Sequence, residues 1–151
     1  LPPWRKARKR RLIETEKYFL FDVGIVRALS GMRLVQPGTE EFGRAFEHFL
    51  IQEIRAYLSY RERDLPLSYW RTSTGIEVDL IVGKLDLAIE FKASAKVGDG
   101  DARGLRALAE DQKLTRGLIV CLADQPRRLS DGIEIWPWQL FCQRLWAGDW
   151  F

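Results

Sequence analysis

The residues best placed to do chemistry are Asp79 and the triplet Glu90-Phe91-Lys92. Asp79 sits inside a run that is otherwise apolar, Val78, Leu80, Ile81 and Val82. Side chains two apart on a strand share a face, so Glu90 and Lys92 project together while Ile89, Phe91 and Ala93 face the other way. A hairpin between the two strands brings Asp79 beside them. Two carboxylates at the centre of a small sheet repel unless a cation sits between them. Mg2+ or Mn2+ is the economical cation, because hard oxygen ligands suit it. A lysine two residues on can hold a water or a phosphate oxygen. This is equipment for phosphodiester hydrolysis, in which the metal activates water and steadies charge developing on phosphorus. Asp79 and Glu90 are therefore the expected metal ligands, and Lys92 is expected to orient the attacking water. Glu47 supplies a third carboxylate from the edge of an apolar helix face, beside Phe46, Leu50 and Ile51, and Glu53 is a second candidate on that helix. Glu-x-Lys alone would also suit an exposed strand face with an ion pair; Asp79 in an apolar strand makes the difference.

Other chemistries fit less well. Asp99-Gly100-Asp101 with Glu110 approaches a calcium loop, but Arg103 puts a cation where a ligand oxygen belongs. Gly83-Lys84 looks like the end of a P-loop, yet Val78 and Leu85 stand where Gly and Ser/Thr are needed, so no ATP site is expected in this chain. His48 is the single histidine, and Cys121 and Cys142 are the two cysteines. Two cysteines exclude a disulfide framework, and a histidine-based zinc site or a Ser-His-Asp triad would have to be built around His48 alone. His48 reads as a helix-surface or edge residue, the cysteines as two reduced buried thiols, and Trp70, Trp136 and Trp138 as packing residues. Ser94 and Gln112 could reach the site face.

The elements that must carry these residues follow from capping and periodicity. Leu12–Phe21 reads as extended. Asp22 caps a helix over Val23–Ser30, closed by Gly31. Thr39 caps a long helix with Glu40 and Glu41 in its first turn and a core stripe running from Phe42 to Leu58. Strands are expected over Leu67–Arg71, Glu77–Val82 and Leu87–Ala93, with Thr72–Gly75 as a hairpin loop. Alternation in the second strand puts Val78, Leu80 and Val82 on one side and Glu77, Asp79 and Ile81 on the other. A helix over about 101–114, strands over Leu118–Leu122 and Ile133–Trp136, and a last helix starting at Pro137 complete the chain.

Charge is unevenly placed. Net charge is +3 over 151 residues. Residues 1–17 carry seven bases and two acids, while residues 18–151 carry 17 bases and 19 acids. The basic arm, Arg5, Lys6, Arg8, Lys9, Arg10 and Arg11, points to a polyanion, most simply DNA. It shows no apolar period, so it is expected to be separable from the fold. The acidic balance of the remainder favours a protein partner instead. At 46% hydrophobic and 30% charged residues the chain can bury a core. Its longest apolar run, Leu118–Ala123, is too short to cross a bilayer, and no leader peptide opens it; a cytoplasmic protein is expected. The chain starts Leu-Pro-Pro-Trp and has Met32 as its only methionine, which reads as a fragment of a longer protein.

The α-β-β-β-α-β order with Glu47, Asp79 and Glu90-x-Lys92 resembles the PD-(D/E)XK, or restriction-endonuclease-like, nuclease fold: a mixed central sheet flanked by helices. That resemblance covers about residues 39–122 and implies a helix Glu and two strand acids around the metal, with Lys assisting the water. Val78 stands where the motif's proline would be. Over the whole chain, Lys17-Tyr-Phe-Leu-Phe-Asp22-Val-Gly24, Phe46-Glu47, Tyr69-Trp-Arg71-Thr, Glu77-Val-Asp79, Ala88-Ile-Glu90-Phe-Lys92-Ala-Ser94, Gly104-Leu and Trp136-Pro137-Trp resemble the C-terminal domain of unknown function of prokaryotic AAA-type ATPases. The resemblance implies residues 1–38 as the end of a winged-helix-like region plus a connecting helix, and 39–151 as the nuclease-like domain. The ATPase domain would lie upstream of this chain and be its partner. Two other functions suit the same residues: a non-catalytic nucleic-acid-binding module, or a regulatory protein-interaction domain of that ATPase.

Overall fold

The computed structural model describes residues 1–6, 10–31 and 36–151. Arg8 and Lys9 of the basic arm lie outside the described residues.

The helix starts are where their caps place them. Asp22 Oδ1 accepts the Ile25 N–H at 3.0 Å and opens α1, Val23–Ser30; Gly31, at φ 69°, closes it in the left-handed conformation glycine adopts most easily. Thr39 Oγ1 accepts the Phe42 N–H at 3.2 Å and opens α2, Glu40–Tyr60. The stripe Phe46, Leu50, Ile51, Ile54, Tyr57 and Leu58 is buried.

Six strands form one mixed sheet: β1 Leu67–Arg71, β2 Glu77–Val82, β3 Leu87–Lys92, β4 Gly117–Cys121, β5 Arg127–Arg128 and β6 Glu134–Pro137, in the order β1-β2-β3-β4-β6-β5. β1, β2 and β3 pair antiparallel; β3, β4 and β6 pair parallel; the short β5 returns antiparallel at the far edge. β3 and β4 are the central strands, and their near-continuous apolar runs reflect burial on both faces. A 3-10 turn, Asp99–Ala102, leads into α3, Arg103–Asp111, which is shorter than the expected 101–114 helix. Chain order ends with α4, Trp138–Ala147. The two-residue β5 has no alternating pattern and no signature in the sequence.

Two apolar layers sandwich the sheet. α2 and α4 pack on one face against Leu80, Val82, Leu87, Ile89, Leu118 and Val120. α3 packs on the other against Val78, Ile81, Ala88 and Ile119. Val78 and Ile81 thus lie on one side, contrary to the expected alternation. The β1–β2 register explains it: Trp70 pairs with Val78 but Ser68 pairs with Ile81, so Asp79 and Leu80 together oppose Tyr69. This is a β-bulge in β2, which switches the face of every residue before it.

The basic arm is bound to the sheet, which corrects the expectation that it is separable. Trp4 N–H bonds to Tyr69 O at 2.7 Å, Ile13 N–H to Arg71 O at 2.8 Å and Ser73 N–H to Arg11 O at 2.9 Å. Trp4 and Leu12 pack on the α3 layer, and Leu1 and Phe19 on the α2 layer. Covering the free edge of β1 in this way satisfies backbone groups that would otherwise template aggregation. No helix among the described residues is long and apolar enough to cross a membrane.

Candidate active site

The site forms where β2 and β3 part. Their ladder ends at Leu80 opposite Ile89, while β3 continues beside β4 as far as Lys92 opposite Cys121. Beyond that end the bulge places Asp79 so that its Oδ2 accepts the Phe91 N–H at 2.8 Å. The Asp79 carboxylate thereby takes up a donor of β3 that has left the β2 ladder, right beside Glu90.

Glu90 points toward α3 and is only 7% exposed. Its Oε1 accepts from Lys92 Nζ at 2.8 Å, and its Oε2 has no hydrogen-bond partner among the described residues. α3 starts directly against it. Gly104 is needed there, because a Cβ would lie 2.0 Å from the Glu77 carbonyl oxygen and 3.2 Å from Glu90 Oε2. On the α2 side, Lys17 Nζ stands 3.4 Å from Glu47 Oε1 and is also ion-paired with Glu77. Thr74, Gly75, Glu77, Lys92, Asp101 and Arg103 help line a cleft of about 270 Å3 between the β1–β2 loop and the start of α3.

The electrostatics follow from this crowding. Burial, then the charges of Glu90 and Glu47, raise the Asp79 pKa well above the usual carboxylate range, with the Phe91 N–H opposing. Burial also raises that of Glu90, against the lowering effect of Lys92. For Lys92, burial alone would lower the pKa, but the Glu90 charge and hydrogen bond outweigh it and the pKa is raised. Lys17 behaves likewise, with Glu47 and Glu77 outweighing burial. Both lysines are thus held as ammonium ions.

Of the residues singled out from the sequence, Asp79, Glu90 and Lys92 come together and Glu47 approaches from α2. Others do not. Glu53 accepts the Trp146 indole N–H at 2.9 Å, away from the fork formed where β2 and β3 part. Ser94 Oγ donates to Lys96 O, and Gln112 donates to the carbonyl of Lys6 at 2.9 Å. His48 is buried rather than at the surface, its Nε2 bonded to the Leu20 carbonyl oxygen. Trp70 is fully buried, and Arg10 is paired with Glu110 at 2.8 Å, while Arg5, Lys6 and Arg11 are exposed. Lys17, Glu77 and Gly104 were missed as site residues. The legible signals were Glu77 two residues before Asp79 and the presence of all three among the residues that carry the family resemblance.

The donor set suits a hard divalent cation: several carboxylates, one with an orphaned buried oxygen. Among the described residues, no three His, Cys, Asp or Glu side chains converge as a ready-made cage; the two ammonium groups stand among the acids instead. Asp79 and Glu90 are the residues that would hold a metal, with Glu47 near.

A family model for a domain of unknown function, DUF4143, matches residues 42–141, which span α2, the sheet and the first part of α4. The chain belongs to this family. DUF4143 thus includes every acid of the fork and Lys92, though not Lys17. Two curated relatives, an uncharacterized protein of Mycobacterium bovis and one of Mycobacterium tuberculosis, are each 27% identical over 139 residues. These cover 91% of this chain but 31% of the relatives, so the chain spans about a third of their length. No solved structure matches the chain.

Proposed function

We propose that this domain is a PD-(D/E)XK nuclease-like module that hydrolyses phosphodiester bonds in DNA with Mg2+ or Mn2+. The observation that carries the reading is the fork, with Asp79 held against Phe91 N–H beside a buried Glu90 whose second oxygen has no partner. Asp79 and Glu90 bind the metal, and Glu47 supports it from α2. When bound, the metal supplies a more acidic water and neutralises charge on the phosphoryl group. Lys92, kept protonated by Glu90, donates to the attacking water and to a phosphoryl oxygen; it orients and does not act as the base. Arg5, Lys6 and Arg11 on the arm, with Arg8 and Lys9 between them in the chain, bind phosphates. The curated relatives are about three times as long as the matched segment, which leaves room for the AAA-type ATPase domain that this reading places upstream. Two free thiols, Cys121 and Cys142, suit a reducing cytoplasm.

A second reading, a protein-interaction or regulatory domain, is favoured by one surface. α1 buries none of its residues, and Phe21 and Leu29 are 80% and 77% exposed near a groove lined by Phe42, Phe46 and Phe49.

Thermal denaturation with MnCl2 and cleavage of plasmid DNA test the proposal together. Wild type should gain stability with Mn2+ and nick DNA, because a ligand bound only by the native state stabilises it. Asp79→Asn should lose both effects, and Lys92→Ala should keep the stability gain and lose cleavage. A wild type showing neither effect leaves the regulatory or DNA-binding reading in its place.

A further inference from the structure

Lys17 occupies an unusual position. It belongs to no strand or helix, yet its ammonium group reaches Glu47 on α2 and Glu77 on β2 and lies 5.0 Å from the centre of the Tyr69 ring. Its side chain is 25% exposed, so this charge has been drawn out of water to meet the acids. We infer that Lys17 is a tethered counterion, holding Glu47 and Glu77 in place of a divalent cation, and that a cation entering the cluster must displace it. The inference rests on the metal-binding reading and deepens it.

Three observations support it. First, the acids outnumber the cations. Glu47, Glu77, Asp79 and Glu90 influence one another, and they are answered by Lys17, Lys92 and, at the exposed rim, Arg71 at 3.5 Å from Glu77. Second, Lys17 does not complete the set. Glu90 Oε2 stays without a partner although Glu90 is 7% exposed, and a buried acceptor with no donor is costly. An ammonium carries one charge on a stem of fixed reach, whereas a divalent cation can bridge oxygens that the stem cannot. Third, Lys17 can leave without dismantling the sheet. Its backbone N–H is bonded to the Leu1 carbonyl at 2.9 Å, Thr15 is held through Tyr69 Oη, and Glu14, Thr15, Glu16 and Tyr18 are exposed.

Two measurements on the whole chain test this. Calorimetric titration with MnCl2 should show Lys17→Met binding at least about fivefold more tightly than wild type, the low end of ordinary coupling between sites. Equal affinities would overturn the tethered-counterion inference and leave the metal reading standing. Binding by neither protein would remove both. The second measurement needs no variant. Lysine acetylation of wild type, read by mass spectrometry, should rise several-fold at Lys17 when Mn2+ saturates the protein, relative to exposed Lys84 and Lys113. Unchanged Lys17 reactivity under saturating Mn2+ overturns the inference even where Lys17→Met does not fold.

Discussion

Asp79 is ionised at a cost in the metal-free protein, because burial and the Glu90 and Glu47 charges favour its protonated form. The native state therefore binds protons more tightly than the unfolded chain, and stability falls as pH rises from the ordinary carboxylate range through the raised folded value. Metal-free wild type should lose stability from this source as pH rises above the ordinary carboxylate range. Asp79→Asn should flatten that slope and raise stability near neutral pH, since an asparagine carbonyl can still accept the Phe91 N–H. Urea denaturation at several pH values measures both effects; a variant less stable than wild type at pH 7.5 would count against the crowding described. The thiols make a separate case. Burial, then Glu53, pushes the Cys142 thiol up to about 12, and burial also raises that of Cys121. Neither should react with iodoacetamide in the native protein at pH 8, because the thiolate is the nucleophile. Mass spectrometry of the native protein, compared with a urea-unfolded control, checks this.

At the scale of elements, the site depends on two irregularities, the bulge in β2 and the close docking of α3. Gly104 tests the second. An added methyl group would sit 2.0 Å from the Glu77 carbonyl, which is backbone and cannot swing away. Gly104→Ala should therefore destabilise the protein by about 1–3 kcal/mol, the usual range for overpacking. It should also weaken Mn2+ binding, by pushing α3 off the fork. Gly100→Ala, one turn earlier and with nothing within 4 Å of the new Cβ, should fall within about 0.5 kcal/mol of wild type. Denaturant midpoints for the pair would show whether close packing or mere helix propensity matters there.

Across the whole molecule, the N-terminal arm has two roles that deletion would confuse. Its backbone and Trp4 cover the β1 edge, so removing it should destabilise the fold; its exposed cations are free to meet phosphates. Replacing Arg5, Lys6 and Arg11 together by Gln separates the two. Affinity for a DNA duplex, measured at several salt concentrations, should drop, and its log–log salt slope should shrink by up to about 2 to 3 units, one for each phosphate left unneutralised. Thermal stability should hardly change, since exposed charges contribute little. An unaltered salt slope would mean that any phosphate-binding groups lie elsewhere on the surface.

Much of this architecture is legible in the chain because its causes are local. Asp22 and Thr39 announce their helices through side-chain caps that need no distant partner, and the long stripe of α2 is a matter of spacing along one segment. Asp79, Glu90 and Lys92 could be brought together on paper because a short hairpin leaves few alternatives. The remainder depends on contacts between segments far apart in sequence, which carry no local pattern. Nothing around Asp79 marks the bulge, because a bulge is a mismatch of register with another strand, β1. Glu53 and Glu47 look alike on one helix, and only the neighbouring elements send the first to Trp146 and the second to Lys17. His48 is buried because Leu20 folds back over α2, and Gly104 matters because a β2 carbonyl presses against it. Sequence alone thus determined which residue types could hold a cation and the strands that bear them; tertiary packing decided that Lys17 and Glu77 join the cluster, because charge interactions depend on distance in space rather than separation along the chain.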